Sequence, residues 1–264
     1  MSIEQREQWN KRAKEFQSKF LKGENEYNKK LFNFWIENGM IEEGIRTLDI
    51  GCGVGRHGVL LGNFGCEVSL VDISDEMLRY AGENMKKAET PLPFHLYRCN
   101  FAEVTGEEDF FKKGFNFSLA SMSPAISDYE SVKKMSDMTQ GCCFVTRFAH
   151  WDQPLKEEII SKLGLKFPEN ELRHGGRLED ITDAVKDLGY ELNIEYTEYN
   201  WSDEKSPETL VEDIFKRNFP EFSEEERSEL KKRALEIAKD IEQERGALHD
   251  EVLSKVVWLY WKTV

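Results

Sequence analysis

The chain has no run of 18 apolar residues, so no membrane-spanning helix is expected. It has no dense run of lysine and arginine either. With 36 basic against 50 acidic residues in 264, the formal charge is −14. Such a surface repels phosphate backbones and anionic lipid, so neither nucleic acid nor a membrane is an expected partner. No C-x-x-C pair occurs. The five cysteines (Cys52, Cys66, Cys99, Cys142 and Cys143) are odd in number, the three in or beside strands read as buried thiols, and a reducing cytoplasm is expected. The five histidines (His57, His95, His150, His174 and His249) show no metal-ligand spacing with one another, with cysteine or with acid, so no metal is expected. Repeats, low-complexity tracts and clear linkers are absent. The first 20 residues are polar and mixed in charge, unlike a signal or transit peptide.

What is there is periodicity. Trp9, Ala13, Phe16 and Phe20 recur at helical spacing and predict a helix over 3–20. A second runs through Leu31, Phe34 and Trp35 and stops near Gly39. Strands and helices then alternate: strand 46–52, helix 55–64, strand 67–73, a helix from the Ser74 cap to about 87, and strand 94–99. Helix 105–113, strand 115–121, helix 128–138 and strand 141–148 follow. Nearly all-apolar strands in that alternation mean a parallel sheet covered on both faces. Beyond 150 the pattern reads helix 177–190, ending at Gly189, and strand 191–201. A helix over 206–219 has Ser206 as cap and Pro207 at its first position. Another over 223–246 has a Ser223/Glu226 capping box and ends at Gly246, and strand 251–263 closes the chain. The expected fold class is α/β: one domain over 1–264, a three-layer sandwich around a seven-stranded, mostly parallel sheet. Residues 1–44 form an N-terminal helical lid, 45–150 a cofactor-binding half, and 151–264 a substrate-side half with a helical insertion over about 202–248.

The stretch LDIGCGVGRHG (48–58) lies between the first strand and its helix. Glycines there let a backbone approach a ligand, and the helix start offers unpaired N–H groups. Asp72, at the end of the second strand, suits ribose hydroxyls. A dinucleotide fits poorly. Counted from Gly51 at the strand end, the last fingerprint position is Arg56 rather than glycine. Asp49 faces the loop, where a carboxylate opposes a pyrophosphate but complements an ammonium group. Cys99-Asn100-Phe101 ends the third strand with a polar and an apolar residue suited to an adenine edge.

In these segments the chain resembles the class I S-adenosylmethionine-dependent methyltransferases. LDIGCGVGRH is similar to their glycine motif, SLVDIS to their second motif, RCNFAEV to their third, and FNFSLASMSPA to their fourth. WNKRAKEF is similar to their lid helix, which puts Trp9 and Arg12 near the ligands or simply in packing. The resemblance implies a last strand antiparallel to the others and S-adenosyl-L-methionine as cofactor. By the same resemblance Asp49 meets the methionine amino group, and Gly51, Cys52 and Gly53 line the cofactor through their backbone. Asp72 takes the ribose hydroxyls with Ile73 against the adenine. Asn100 and Phe101 read the adenine edge, and Ser121 lies beside the methionine portion. The family has aspartate where Asn100 stands; asparagine keeps an acceptor oxygen and adds a donor.

The expected activity is methyl transfer to a small-molecule acceptor. Ser123-Pro124-Ala125-Ile126 shares two of four positions with amino-methyltransferase motifs, a weak pointer to a nitrogen acceptor. It has no aromatic platform for a flipped base. Ser123, Asp128 and Tyr129 are the first candidates to face the acceptor, and Tyr27, Tyr199 and Trp201 weaker ones. His150 and His174 are candidate bases or ligands. The alternatives are a protein or RNA methyltransferase, a non-catalytic S-adenosylmethionine-binding module and a nicotinamide dehydrogenase. Sequence leaves the oligomeric state and any general base open.

Overall fold

The computed structural model describes residues 3–23, 26–104, 114–166, 178–217, 219 and 221–264. The sheet follows from burial. In β1 (Arg46–Ile50) and β2 (Glu67–Asp72) every residue after the first is buried. That occurs only when both faces of a strand are covered. Parallel pairing joins β1 to β2, β1 to β4 (Phe115–Ser121), β2 to β3 (Phe94–Arg98), and β4 to β5 (Thr139–Asp152). With β6 (Asn193–Glu198) and β8 (His249–Lys262), the strand order is β3-β2-β1-β4-β5-β8-β6. An eighth strand, β7 (Trp201–Glu204), pairs antiparallel with the start of β8. Sequence reading put a single strand over 191–201. The chain instead breaks at Tyr199-Asn200, so the helical insertion begins at Pro207 rather than near 202.

Two compact units divide the chain. The first comprises Met1–Arg147, His174–Tyr196 and Val257–Val264. Its helices are α1 (Ile3–Leu21), α2 (Glu26–Glu37), α3 (Arg56–Asn63), α4 (Asp75–Ala88), α5 (Tyr129–Asp137) and α7 (Leu178–Asp187). Leu48, Ile50, Phe115, Val145, Ile181 and Trp261 are among the side chains of its core. Gly58 has a packing reason: a Cβ there would come within 2.5 Å of Leu70 Cδ2, so only glycine lets α3 lie this close to β2. Ser74 caps α4, its hydroxyl accepting from Met77 N at 3.1 Å.

The second unit, Phe148–Arg173 and Thr197–Val256, packs α6 (Pro154–Lys162), α8 (Pro207–Arg217) and α9 (Glu224–Arg245) around Ile159, Leu210, Phe215, Ala234 and Ile241. The Ser206 and Ser223/Glu226 caps form as their sequences predict. Helix α6 went unread in the sequence. β5 also runs to Asp152 rather than ending at 148. The predicted helix over 105–113, and His174, lie outside the described residues.

Inside this unit Asp250, 4 % exposed, binds two lysines through one oxygen, Lys156 at 3.0 Å and Lys205 at 2.7 Å. Removing that carboxylate leaves buried ammonium charge. Asp250→Ala is therefore expected to cost about 3 kcal/mol in urea unfolding. A loss below about 1 kcal/mol would show that Asp213, which also pairs with Lys205, carries the cluster.

Candidate cofactor site

The site grows from the carboxyl end of β1. Asp49 is the fourth residue of a strand buried on both faces, so its carboxylate is taken inside, 1 % exposed. Its Oδ2 has no hydrogen-bond partner among the described residues. Burial pushes its pKa up to about 8, with the charge of Asp72 adding to the shift. After Ile50 the chain turns through Gly51, Gly53 and Gly55, all at positive φ. Gly51 N and Cys52 N both donate to Val71 O, which staples the turn to β2.

Asp72, at the end of β2, binds the same turn from the other side. Its Oδ2 accepts from Gly53 N at 2.9 Å and its Oδ1 from Ser74 N at 2.8 Å. Burial raises its pKa, and the N–H groups of Ser74, Gly53 and Ile73 oppose the shift. Two buried acids thus converge on one glycine turn. Burial and these two charges also push the Cys52 thiol well up, so it stays protonated. Ile73 is half-buried beside them.

The third motif follows β3. Asn100 Oδ1 accepts from Ala102 N at 3.2 Å and its amide donates to Glu103 at 2.9 Å. The short side chain caps the turn that follows it, as asparagine does where local donors lie within reach. Phe101 is 2 % exposed within the core, and its carbonyl accepts from Lys134. Asn100 thus caps the turn and Phe101 packs in the core.

The loop after β4 has its own anchors. Ser121 Oγ lies 3.0 Å from Thr146 Oγ1. Met122 is held at φ 51, and its N–H donates to Thr146. Ser123 is 3 % exposed and presses on Gly51, where a Cβ would come within 2.0 Å of its hydroxyl. Asp128 caps α5 through Ser131 N at 2.9 Å, and Tyr129 is exposed. Arg147 escaped sequence reading. It is 3 % exposed, and its guanidinium donates to Thr146 O, Ser123 O and Ile126 O. The one available signal was an arginine inside an otherwise apolar strand, GCCFVTRF.

Helix α1 covers the turn. Ala13 packs with Val54 and Met77, flanked by Trp9, Phe16 and Phe20. Arg12 lies over the Trp9 and Phe16 rings. Gln17 and Asn84 exchange amide hydrogen bonds of 2.9 and 2.8 Å, and Asn84 also donates to Val54 O inside the glycine loop. Tyr27 packs against Trp258, whose indole donates to its hydroxyl. Burial, followed by the charge of Arg56, brings His57 down to about 4, which keeps it neutral.

Within the second unit, Phe148, Trp151, Tyr199 and Trp201 form an aromatic cluster, with Tyr199 and Trp201 centroids 5.0 Å apart. His150 pairs with Asp152 on the surface. No cluster of metal-ligating side chains occurs among the described residues.

An ammonium group fits the unpaired oxygen of Asp49, and hydroxyls fit the remaining lone pairs of Asp72. A pyrophosphate would meet two buried acids and does not fit. Fold and site together resemble those of a class I S-adenosylmethionine-dependent methyltransferase domain. Residues 47–139 match the family model described as a methyltransferase domain. The Bacillus subtilis (strain 168) protein YqeM, provisionally named a methyltransferase, is 34% identical over 77 residues, 29% of this chain and 30% of that protein. An uncharacterized protein of Haemophilus influenzae is 26% identical over 113 residues, 40% of this chain and 45% of its own. The chain thus spans less than half the length of these curated relatives. In fold, the YcgJ protein of Bacillus subtilis aligns with a TM-score of 0.54 at 13% identity, covering 88% of this chain and 97% of that one. A provisionally named methyltransferase of Bacillus halodurans C-125 aligns with 0.55 at 10% identity, covering 88% and 98%.

Proposed function

We propose that the protein transfers the methyl group of S-adenosylmethionine to a small-molecule acceptor. The observation that carries this reading is the buried, unpaired carboxylate oxygen of Asp49 beneath a glycine turn. A group left so costs free energy unless a ligand completes it. The cofactor supplies an electrophilic methyl on a sulfonium. Asp49 holds the ammonium of its amino-acid end, Asp72 the ribose hydroxyls, and Ile73 one face of the base. The backbone of Gly51–Gly53 lies alongside, and α1 keeps water from the turn. Alignment is the main task for such a displacement. A general base is required only where the acceptor must first lose a proton.

The net charge of −14 favours a small molecule over nucleic acid. A nitrogen acceptor would donate to the other carbonyls of the loop after β4, since Ser123 and Ile126 already give theirs to Arg147.

The test is methyl transfer from methyl-labelled S-adenosylmethionine into a cell extract divided into small molecules, protein and nucleic acid. Label in the small-molecule fraction supports the proposal and identifies the acceptor. Label in protein or nucleic acid sinks the small-molecule assignment. Tight binding with no transfer in any fraction favours a non-catalytic module.

A further inference from the structure

The loop after β4 is held in an unfavourable shape. Met122 has no special tolerance for the left-handed region, yet it sits there at φ 51, at a cost of about 1 kcal/mol or more. Something must hold it, and the last two residues of β5 before the second unit do so. Thr146 receives the Met122 N–H through both its carbonyl and its hydroxyl, each at 3.1 Å, and its hydroxyl also meets Ser121. Arg147 grips the other half. Nη2 donates to Ser123 O at 2.6 Å and to Ile126 O, and Nη1 donates to Thr146 O at 2.8 Å.

This guanidinium is 3 % exposed and, among the described residues, pairs with no carboxylate. Its Nε–H is buried with no partner there. Burying a cation against carbonyls alone is expensive, so the fold spends stability to fix this loop. What the loop carries explains why. Ser123 is pressed onto Gly51, the first glycine of the turn and two residues past Asp49. Nη2 alone meets both carbonyls while Nη1 holds Thr146 O, so the planar group ties the loop to β5 with donors in fixed directions; a lysine ammonium has one nitrogen and cannot make the Thr146 bond and the two loop bonds in that geometry.

We infer that Arg147 is a positioning residue for the cofactor's amino-acid end: it clamps Ser123 and Ile126 so that Ser123 seats against Gly51 and keeps the turn beside Asp49 in register. This rests on the function proposed above.

The test separates the two ends of the ligand. Calorimetric affinities for S-adenosylhomocysteine, which has the amino-acid end, and for methylthioadenosine, which lacks it, are measured on wild type, Arg147→Gln and Arg147→Lys. Arg147→Gln is expected to lose about tenfold for S-adenosylhomocysteine and less than about twofold for methylthioadenosine, with Arg147→Lys in between. Equal losses for both ligands, or no loss for either, overturn the assignment. If Arg147→Gln fails to fold, the Lys variant decides by the same ratio. Wild-type protein that binds neither ligand overturns the cofactor reading itself, and the assignment with it.

Discussion

Asp49→Asn is expected to weaken S-adenosylhomocysteine about 30-fold at pH 7.5, the factor given by losing a charge-assisted hydrogen bond of roughly 2 kcal/mol. It is also expected to abolish the pH dependence of binding. In the free protein Asp49 keeps its proton up to about pH 8 because it is buried beside Asp72. Only the ionised carboxylate complements an ammonium. Wild-type affinity should therefore rise with pH between 5.5 and 7.5, by up to roughly tenfold per unit, as the ionised fraction grows. The asparagine variant should be flat across that window. Stability should move the other way. The folded chain holds a proton on Asp49 between 3.8, the ordinary carboxylate value, and about 8, where the unfolded chain has released it. Ligand-free stability then falls as pH rises through this window, by up to about 1.4 kcal/mol per unit. Asparagine has no proton to lose, so the variant should melt above wild type at pH 8. A variant that binds as tightly as wild type at pH 7.5 would remove Asp49 from the site.

The second large effect is expected at Asp72. Its two oxygens accept from two different backbone N–H groups, Gly53 and Ser74. In Asp72→Asn the amide nitrogen must face one of those N–H groups, donor against donor, in a buried place. That costs about 1–3 kcal/mol by itself. The glycine turn comes loose from β2, and the negative charge proposed to meet the ribose hydroxyls is gone. Together these should weaken S-adenosylhomocysteine by about 100-fold or more. Ser74→Ala is the control, because it removes the cap of α4 while leaving the carboxylate. Calorimetry on both variants decides the point: if the two lose equally, helix capping and not the carboxylate matters here.

Much of the fold is legible in the sequence. Strands buried on both faces have no polar alternation to confuse them, so β1, β2 and β4 read cleanly, and the glycine turn announced itself by spacing. Local caps were readable because their partners lie three residues away, as at Ser74, Ser206 and Ser223. Helix α6 was within reach, since Pro154 sits at its first position and Leu155, Ile159 and Ile160 share a face, but nothing there opposes a loop reading. The strand break at Tyr199-Asn200 depends on pairing with β8, some 50 residues on. Asn100 illustrates a different limit: one side chain can serve a ligand or its own turn, and only geometry shows that it bonds Ala102 and Glu103. Arg147 offers only one hint, a charged residue in an otherwise apolar strand. Its value lies in carbonyls more than 20 residues earlier, which no local pattern reports.

The clasp between Gln17 and Asn84 has a consequence for exchange kinetics. Two neutral amides bonded to each other, with Val54 O as a third member, contain nothing that titrates and nothing that counterions screen. The clasp's own share of the barrier to opening α1 should be indifferent to ionic strength and to proton concentration, whereas the exposed Arg6–Asp75 ion pair between α1 and α4 weakens as salt rises. If α1 gates the proposed ligand, a dissociation rate that varies with salt but not with pH, while equilibrium affinity tracks the ionisation of Asp49, would place the gate and the titrating charge on separate parts of one small site.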